Sequence, residues 1–492
     1  MSSLFVSKMV CCRFVITDGI DCVREHESAT AGLIERNQDM SWLVQQPASP
    51  PIQAISKQAR TVVATLRDKG FDAYVVGGGV RDLLLNLHPK DFDVATNARP
   101  EEVRSVFARS RIIGRRFRLV HVLFGADVVE VATFRASHQA SDVLASTGRI
   151  LADNCYGDIE DDARRRDFTI NALYYDPIKH IIVDYVQGLG DLRAGIIRMI
   201  GIPEQRYRED PVRMLRAVRF AAKLGFELEE ETHEGLLRLR PYLEEVSPAR
   251  LFDELMKCFM GGYAQATLEG LLRYGLLELL FPECKALLLA EDPLLHNLLR
   301  QVMRDTDLRL QQGKPVTPAF LMAALLWPAL YHVLAAQGPG ALGSQRALRR
   351  TLAAYTHFER LAMPRRYRTV ADEILVLQPL FMRREKKYIE ALQQHPRFRA
   401  ACDFFFLRAR SGVEVIPEKL LAFWKERYEA AGQGVAPLLH DVSWPAEQEA
   451  PQEQQSQEQQ RKRRRRRRGP RRKAAATEMP AVDSIIKELA AE

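Results

Sequence analysis

Two acidic side chains, Asp91 and Asp93, lie two residues apart in the segment PKDFDVATN. A strand is predicted over 91–97, and residues two apart on a strand project from the same face of a sheet. Neighbouring carboxylates repel each other and raise each other's pKa unless a cation lies between them. The pair therefore predicts a divalent metal site, and its oxygen ligands suit Mg²⁺ or Mn²⁺. The alternative is an edge-strand or loop feature that binds nothing.

A third carboxylate lies further along the chain. Glu130 interrupts the apolar segment DVVEVATFR, which predicts a strand over 127–135. On a strand beside the two aspartates, Glu130 would complete a set of three acidic ligands. Such a set can hold two metal ions, and two-metal sites catalyse in-line displacement at phosphorus. The predicted chemistry is phosphoryl or nucleotidyl transfer.

A glycine turn precedes the acidic pair. Residues 77–79 are all Gly and lie between a strand predicted over 71–76 and a helix predicted over 80–87. Glycines allow a backbone to approach a ligand closely, and the free amide groups at a helix start attract phosphate. Arg81 and Asp82 follow in the first turn of that helix. A strand-to-helix turn without a ligand uses similar residues, so this motif by itself leaves both interpretations open.

The elements around these motifs predict an α+β protein. Short strands alternate with helices after residue 55, which predicts a small mixed β-sheet head, and helical spacing dominates from about 200 to 435, which predicts an all-α array. After Trp444 the sequence cannot bury enough apolar surface to offset its ordering entropy. The predicted segments are a poorly ordered extension over 1–54, a catalytic head over 55–198, a helical neck over 199–262, a helical body over 263–440, and a disordered linker with a basic tail over 441–492.

Composition and charge narrow the classes of function. Of the 492 residues, 47% are hydrophobic and 27% are charged, which excludes a single small binding module and wholesale disorder. The formal net charge is +8, but the segment RKRRRRRRGPRRK at 461–473 holds eleven basic side chains and no acid, which leaves −3 for the rest. Seven cysteines without C-x-x-C spacing predict a reducing, cytoplasmic location. No run reaches the roughly 18 uninterrupted apolar residues of a membrane span, so no integral membrane association is expected.

Five motifs follow one another along the first half of the chain. They are GGGVRD at 77–82, DFD at 91–93, RRDFTINAL at 165–173, DYVQGLGDLRAGIIR at 184–198 and EDPVRMLRAVRFAAKLGF at 209–226. In order and spacing this set resembles the class II nucleotidyltransferases, which comprise bacterial poly(A) polymerases and tRNA CCA-adding enzymes. The resemblance covers roughly residues 55–260. It implies transfer of a nucleotide from ATP to an RNA 3′ hydroxyl with two metal ions.

The resemblance also implies roles for individual residues. Asp91 and Asp93 would hold the metal ions, and whether Glu130 or Asp167 is the third catalytic carboxylate stays open, because Asp167 could instead bind the ribose with Asn171. The remaining nucleotide contacts are implied at Gly78, Gly79, Arg81, Asp82, Arg166, Asp210, Arg213 and Arg216.

The last helical motif is expected to select the base. Asp210 and Arg213 are three apart on a predicted helix, and an acceptor with a planar donor on one face can read a base edge. Arg216 continues that face toward the triphosphate. The alternative is a solvated face of Arg and Glu over a buried apolar one.

Two features favour the poly(A) polymerase branch. The segment IIGRRFRLVHV at 112–122 matches a pattern typical of that branch, and Arg115, Arg116 and Arg118 would add positive charge where triphosphate or RNA approaches. The alternative for this segment is a basic strand edge that discourages aggregation. The basic tail at 461–473 favours the same branch, because an enzyme that holds many unrelated RNA ends gains from sequence-blind attraction to phosphate.

The expected function is template-independent addition of AMP from ATP to RNA 3′ ends, which promotes RNA decay. The implied partners are the 3′ ends of mRNA, small RNAs and tRNA precursors, bound by the helical body and the tail, together with RNA-decay machinery. Residues 249–263 and 395–410 resemble the RNA-binding region of that branch. The alternatives are a tRNA CCA-adding enzyme and a non-catalytic RNA-binding protein on a transferase scaffold.

Overall fold

The fold was obtained as a computed structural model, which describes residues 44–47, 54–114, 118–136, 143–144, 150–152, 155–338, 340–354, 360–411 and 416–431. Three predicted features lie outside the described residues. They are Arg115 with Arg116, the basic tail at 461–473, and most of the extension over 1–54.

Strands are concentrated in the first half of the described chain. They are β1 (Val44–Pro47), β2 (Ala73–Val76), β3 (Asp93–Thr96), β4 (Ser110–Ile113), β5 (Leu119–Phe124), β6 (Asp127–Thr133), β7 (Val143–Leu144), β8 (Ile150–Ala152), β9 (Leu173–Asp176), β10 (Ile181–Asp184), β11 (Ile196–Ile197) and β12 (Glu227–Leu228).

Helices occur along the whole described chain and make up nearly all of its second half. They are α1 (Lys57–Asp68), α2 (Gly78–Leu84), α3 (Pro100–Val106), α4 (Ile159–Arg165), α5 (Gly188–Ala194), α6 (Pro203–Glu209), α7 (Val212–Leu224), α8 (Glu230–Leu239), α9 (Pro248–Phe259), α10 (Ala264–Arg273), α11 (Leu277–Leu280), α12 (Lys285–Leu289), α13 (Pro293–Gln311), α14 (Pro318–Ala336), α15 (Gln345–Ala354), α16 (Arg365–Val376), α17 (Gln378–Phe381), α18 (Lys386–Gln394), α19 (Phe398–Arg410) and α20 (Glu418–Ala431).

Eight strands form one mixed sheet in the order β1-β10-β9-β2-β3-β6-β5-β4. Strands β3 and β6 are parallel, with Val94 opposite Val131. The other neighbouring pairs in this sheet are antiparallel. Helix α1 packs on β2 and buries Val62, Val63 and Leu66. This arrangement confirms the predicted α+β head.

Three strands of the sheet were not predicted. Strand β9 is buried along its whole length, so its sequence lacks the alternation of apolar and polar residues that predicts a strand. It pairs with β10 across a hairpin, and β10 in turn pairs with β1. Residues 44–47 therefore belong to the sheet, and the prediction of a poorly ordered extension over 1–54 is wrong for them. Pairing with a partner distant in the sequence decides their conformation.

The region after residue 200 is almost entirely helical in the described ranges, apart from the short strand β12, which confirms the predicted helical array. Its main core is continuous with the core under the sheet, and a second core lies around Phe381, Phe405 and Trp424. The stacked rings of Phe381 and Phe405 have centroids 4.9 Å apart. Apolar burial between helices therefore organises this part of the chain.

Helix α14 has the length and composition of a membrane span, and it is the one such helix among the described residues. Within its most apolar 18-residue window, 72% of the residues are buried inside the fold. Trp327 on this helix packs edge-to-face on Phe404 of α19 with ring centroids 5.8 Å apart. A helix that is apolar on all sides and surrounded by other helices has the character of a core element.

Candidate active site

The acidic pair lies directly against the glycine turn. The predicted strand over 91–97 is shorter in the structure: β3 begins at Asp93, and Asp91 lies in the segment before it. Asp91 and Asp93 are exposed, while Phe92 between them is buried. A Cβ at Gly79 would lie 3.0 Å from Cδ1 of Phe92 and 3.2 Å from the carbonyl oxygen of Asp91. A larger residue at this position would force the Phe92 ring or the Asp91 backbone to shift, because the turn and the acidic segment are in close contact. The structure therefore brings the two predicted motifs together.

Neither carboxylate of the acidic pair forms an ion pair with a cation in the part of the chain that the structure describes. Partial desolvation, followed by the charges of Glu130 and Asp91, raises the pKa of Asp93 to about 6, although the positive charge of Arg166 opposes this. Carboxylates that repel one another in this way favour a bound cation.

Glu130 lies beside the pair, but its carboxylate faces another partner. The parallel register of β3 and β6 places it next to Asp93. Its Oε1 lies 3.3 Å from Nε2 of His121, the cross-strand neighbour on β5. Within the described ranges, no three His, Cys, Asp or Glu side chains converge as a ready-made ligand set. The Asp91 and Asp93 pair therefore fits a divalent ion as two of its ligands, and further oxygens would come from elsewhere.

The glycine turn starts a short helix. Gly77 has φ +75°, a left-handed conformation that favours glycine, and α2 begins at Gly78. A Cβ at Gly77 would lie 3.5 Å from Nη1 of Arg166. That guanidinium donates from Nη2 to Asp162 at 2.9 Å and from Nε to the Tyr174 hydroxyl at 3.0 Å. Arg166 is thus fixed against the turn, and its positive charge acts on Asp93.

Arg81 was expected to contact phosphate, but its side chain points into the protein interior. Its side chain is 2% exposed. Its Nε and Nη2 donate to Asp82 Oδ1 at 2.9 and 2.6 Å, and its Nη1 donates to Asn171 Oδ1 at 2.5 Å. A buried guanidinium requires such partners for its donors. Asp82 also accepts from Nζ of Lys223 on α7 at 2.7 Å. Both residues therefore support the glycine turn from the interior of the protein.

Asp167 is paired away from the acidic pair. Its Oδ2 accepts from Nε of Arg216 at 2.7 Å, and its Oδ1 accepts from Nδ2 of Asn171 at 3.1 Å. Burial would raise the pKa of Asp167, but the charge of Arg216 and these hydrogen bonds hold it well below its usual range. Asp167 is therefore a permanently ionised link between the head and helix α7.

Asp210 and Arg213 do not share a helix, contrary to the prediction. Asp210 follows the end of α6 in an extended conformation, and α7 begins at Val212. Pro211 explains the break, because a proline disfavours the helical conformation of the residue before it. Asp210 Oδ2 accepts from Nη2 of Arg250 at 2.8 Å. Both side chains still lie at the start of α7.

Two contacts at α7 were missed by the sequence reasoning. Nη1 of Arg213 donates to Oε2 of Glu209 at 2.9 Å. The ring of Phe220 lies under the guanidinium carbons of Arg81, Arg216 and Arg219, at 5.0, 5.2 and 4.3 Å from its centroid. The spacing of Glu209 four residues before Arg213 was a usable signal. The contact of Phe220 with Arg81 depends on tertiary structure, so no signal in the sequence could have predicted it.

Of the basic segment at 112–122, the structure describes Arg118 but not its two basic neighbours. Its Nη2 donates to Oε1 of Glu101 at 2.5 Å, at an exposed position. The predicted role of this segment stays a prediction.

Comparison with known proteins places this site in a defined class. The fold matches a crystal structure of a tRNA nucleotidyltransferase complexed with a primer tRNA and an incoming ATP analogue, with a TM-score of 0.52 and 22% identity over 76% of this chain and 98% of that one. Three family models match: the poly A polymerase head domain at 73–198, the probable RNA and SrmB-binding site of polymerase A at 225–288, and the polymerase A arginine-rich C-terminus at 343–473. The chain is a nucleotidyltransferase.

Two curated relatives show which branch of the nucleotidyltransferases this chain resembles most over its length. Poly(A) polymerase I of Escherichia coli is 44% identical over 382 residues, which cover 76% of this chain and 82% of that protein. A CCA-adding enzyme of Lactobacillus helveticus is 41% identical over 212 residues, which cover 43% of this chain and 52% of that protein. The chain belongs to the poly(A) polymerase I family. This confirms the predicted branch of the nucleotidyltransferases.

Proposed function

We propose that this protein adds AMP from ATP to RNA 3′ ends without a template and releases pyrophosphate. The observation that carries this proposal is that Asp91 and Asp93 lie against the glycine turn without an ion-pair partner among the described residues, in a chain of the poly(A) polymerase I family. The RNA substrates are the 3′ ends of mRNA, small RNAs and tRNA precursors, and tailing directs them to RNA-decay machinery in the cytoplasm.

Asp91 and Asp93 would hold Mg²⁺ or Mn²⁺, with Glu130 as a further ligand after release from His121. When bound, a divalent ion lowers the pKa of an attacking hydroxyl and neutralises charge on a leaving pyrophosphate. Before binding, burial and then the charges of Glu130 and Asp91 raise the pKa of Asp93, and a bound cation would oppose all three effects.

The nucleotide would lie over the glycine turn. Gly78 leaves the backbone accessible there, whereas Gly79 packs against Phe92 and the Asp91 carbonyl oxygen. Arg166 lies against Gly77 with its guanidinium fixed by Asp162 and Tyr174. This geometry supports contact of Arg166 with the triphosphate. Arg81 and Asp82 act by holding the turn in place.

Asp167 and Asn171 of the head would recognise the ribose, and residues at the start of α7 would recognise the adenine. Asn171 and Asp167 are held in place by Arg81 and Arg216, and they would bind the ribose through the hydrogen-bonding capacity that these contacts leave. Asp210 and Arg213 would read the adenine edge, with Arg250 and Glu209 fixing their side chains. An amino-acid surface of fixed donors and acceptors can select a base without a template.

The test of the catalytic assignment is the variant Asp91→Ala, measured by incorporation of labelled AMP into RNA. We expect incorporation to be lost while the thermal unfolding curve stays close to that of the wild type, because Asp91 is exposed. Asp127→Ala is the matched control, since Asp127 is an exposed aspartate on β6 that accepts a hydrogen bond from Gln58 at 2.8 Å. Activity of Asp91→Ala near that of Asp127→Ala would refute the assignment.

A CCA-adding activity is the second candidate, because the match to a CCA-adding enzyme covers the head. The wild-type protein is incubated with tRNA that lacks its CCA end and with an unrelated RNA, and incorporation of ATP and CTP is compared. Long A tracts on both RNAs support poly(A) addition, whereas CTP incorporation confined to the tRNA supports the alternative. Absence of metal-dependent ATP turnover would indicate a non-catalytic RNA-binding protein.

A further inference from the structure

A cavity of about 780 Å³ lies in the helical body between α13, α14, α19 and α20. It is formed by residues after 300 and contains none of the residues assigned to the candidate active site. A cavity of this size is in the range that binds small molecules and single nucleotides. Its lining combines aromatic side chains with cations.

The aromatic side chains present partly exposed rings. Phe406 of α19 and Tyr428 of α20 are half-buried, and their ring centroids lie 6.1 Å apart in an edge-to-face arrangement. The guanidinium carbon of Arg399 lies 4.9 Å from the centroid of the Tyr428 ring. Aromatic rings beside an arginine form the type of surface on which unpaired nucleobases stack.

The cations of the cavity exceed its carboxylates. Arg309, Lys314, Arg399 and Arg410 line it together with Asp305 and Asp403. Arg410 forms an ion pair with Asp305, and Asp403 is hydrogen-bonded to the Tyr428 hydroxyl.

Two of these cations have neutral hydrogen-bond partners. Arg309 Nη2 donates to the carbonyl oxygen of Pro315 at 3.4 Å, and Lys314 Nζ donates to Gln312 Oε1 at 2.8 Å. Both side chains are exposed at the mouth of the cavity. Among the described residues, neither side chain has a carboxylate as its hydrogen-bond partner, although the charge of Arg309 also acts on Asp403, so both can attract an anionic ligand.

We propose that this cavity binds a nucleotide of single-stranded RNA upstream of the 3′ end that is extended. The base stacks against Phe406 and Tyr428, and the flanking phosphates contact Arg309, Lys314 and Arg399. This proposal rests on the proposed function, because it takes RNA as the substrate. It adds a specific site to the helical body.

The test compares two arginines of the same helix. Arg309 lines the cavity, whereas Arg304 is exposed on α13 outside it, so Arg309→Gln and Arg304→Gln remove the same charge. The probe is a fluorescently labelled oligoadenylate of about 20 nucleotides, longer than a typical single-strand binding site. We expect Arg309→Gln to weaken binding several-fold and to reduce the salt slope of log K by about 0.7, the value for one lost phosphate contact. Arg304→Gln should leave both near wild type.

A third variant separates stacking from charge. Phe406→Leu keeps an apolar side chain of similar size, so we expect weaker oligoadenylate binding by about tenfold with an unchanged salt slope, as for a lost base stack. All three variants should bind ATP as the wild type does. Equal affinities and equal salt slopes for Arg309→Gln and Arg304→Gln would overturn the proposal. Competition with free AMP is a second check: if AMP displaced the probe at the same concentration as unlabelled oligoadenylate, the proposal would also be overturned.

The outcome is independent of the test for catalysis. A wild-type protein that binds oligoadenylate through the cavity but incorporates no AMP contradicts the proposed function and leaves the cavity site intact. A wild-type protein that incorporates AMP while Arg309→Gln and Arg304→Gln behave alike contradicts the cavity site alone.

Discussion

Arg216 of helix α7 and Asp167 of the head form an ion pair, with Nε of Arg216 2.7 Å from Oδ2 of Asp167. The two residues are 49 positions apart in the sequence. Asn171 donates to the other oxygen of Asp167 and accepts from Arg81, so the pair continues as a chain of hydrogen bonds to the glycine turn. The helix expected to select the base is thereby tied to the turn expected to hold the triphosphate.

Removal of this ion pair should destabilise the protein in a pH-dependent way. In Arg216→Gln, the Asp167 carboxylate keeps its buried position but loses its opposite charge, so we expect a loss of about 1–3 kcal/mol in the free energy of unfolding at pH 7. Without Arg216, burial raises the folded-state pKa of Asp167, and the folded variant takes up a proton more readily than the unfolded chain. The deficit should therefore shrink as the pH falls toward 4.

Urea unfolding of both proteins between pH 7 and pH 4 measures this effect. Arg208→Gln is the control, because Arg208 is exposed and donates to the Tyr242 hydroxyl. If Arg216→Gln lost the same free energy of unfolding at every pH, the ion pair between Arg216 and an ionised Asp167 would be contradicted.

The acidic pair should itself cost stability at neutral pH in metal-free protein. The pKa of Asp93 is raised to about 6 in the folded state, so its ionised form is disfavoured by folding. The free energy of unfolding should therefore fall as the pH rises from about 4 through about 6, because the folded protein loses the proton on Asp93 over this range. We expect Asp93→Asn to have a higher melting temperature than the wild type at pH 7.5 in EDTA, and the difference to vanish near pH 4.

Addition of Mg²⁺ provides the complementary measurement. A ligand that binds only the folded state raises the melting temperature. The wild type should gain stability with Mg²⁺, and Asp93→Asn should gain less. Equal responses of the two proteins would mean that the ion binds elsewhere.

Two neighbouring glycines allow a matched comparison at the turn. A Cβ at Gly79 meets the Phe92 ring at 3.0 Å and the Asp91 carbonyl oxygen at 3.2 Å, whereas a Cβ at Gly78 meets only side-chain atoms of Arg81, the nearest at 3.5 Å. We expect Gly79→Ala to lower the free energy of unfolding by about 1–3 kcal/mol, because the backbone oxygen cannot yield easily. Gly78→Ala, in ordinary van der Waals contact, should be tolerated.

Denaturant unfolding of the two alanine variants gives the comparison. Gly79→Ala should also reduce AMP incorporation, since its Cβ displaces the segment that carries Asp91. Equal stability of the two variants would show that the turn and the acidic segment are less closely packed than described.

The basic tail should dominate the salt dependence of RNA binding. Deletion of residues 461–473 removes eleven cations. Each phosphate contact that is lost lowers the salt slope of log K by about 0.7 for single strands. We expect weaker binding and a flatter slope with an unchanged affinity for ATP. A deletion variant with the wild-type slope would show that the tail does not contact RNA.

The sequence by itself determined the motifs and the local elements. Asp91 and Asp93, the glycines at 77–79 and the strand of Glu130 were predictable, because alternation, turn residues and the spacing of acids are local properties of the chain. The order of the five motifs predicted the family, which the comparisons confirmed. The helical array after residue 200 was predictable for the same local reason.

Only the tertiary structure decided which charges are paired and which are free. Arg81 was expected to contact phosphate and lies inside the protein. Asp167 was a candidate for the third catalytic carboxylate and is ion-paired with Arg216. Strand β1 had no periodic signal and is defined by its pairing with β10. Ion pairs and strand pairs join residues that are far apart in the sequence, so their energies depend on where the fold places both partners.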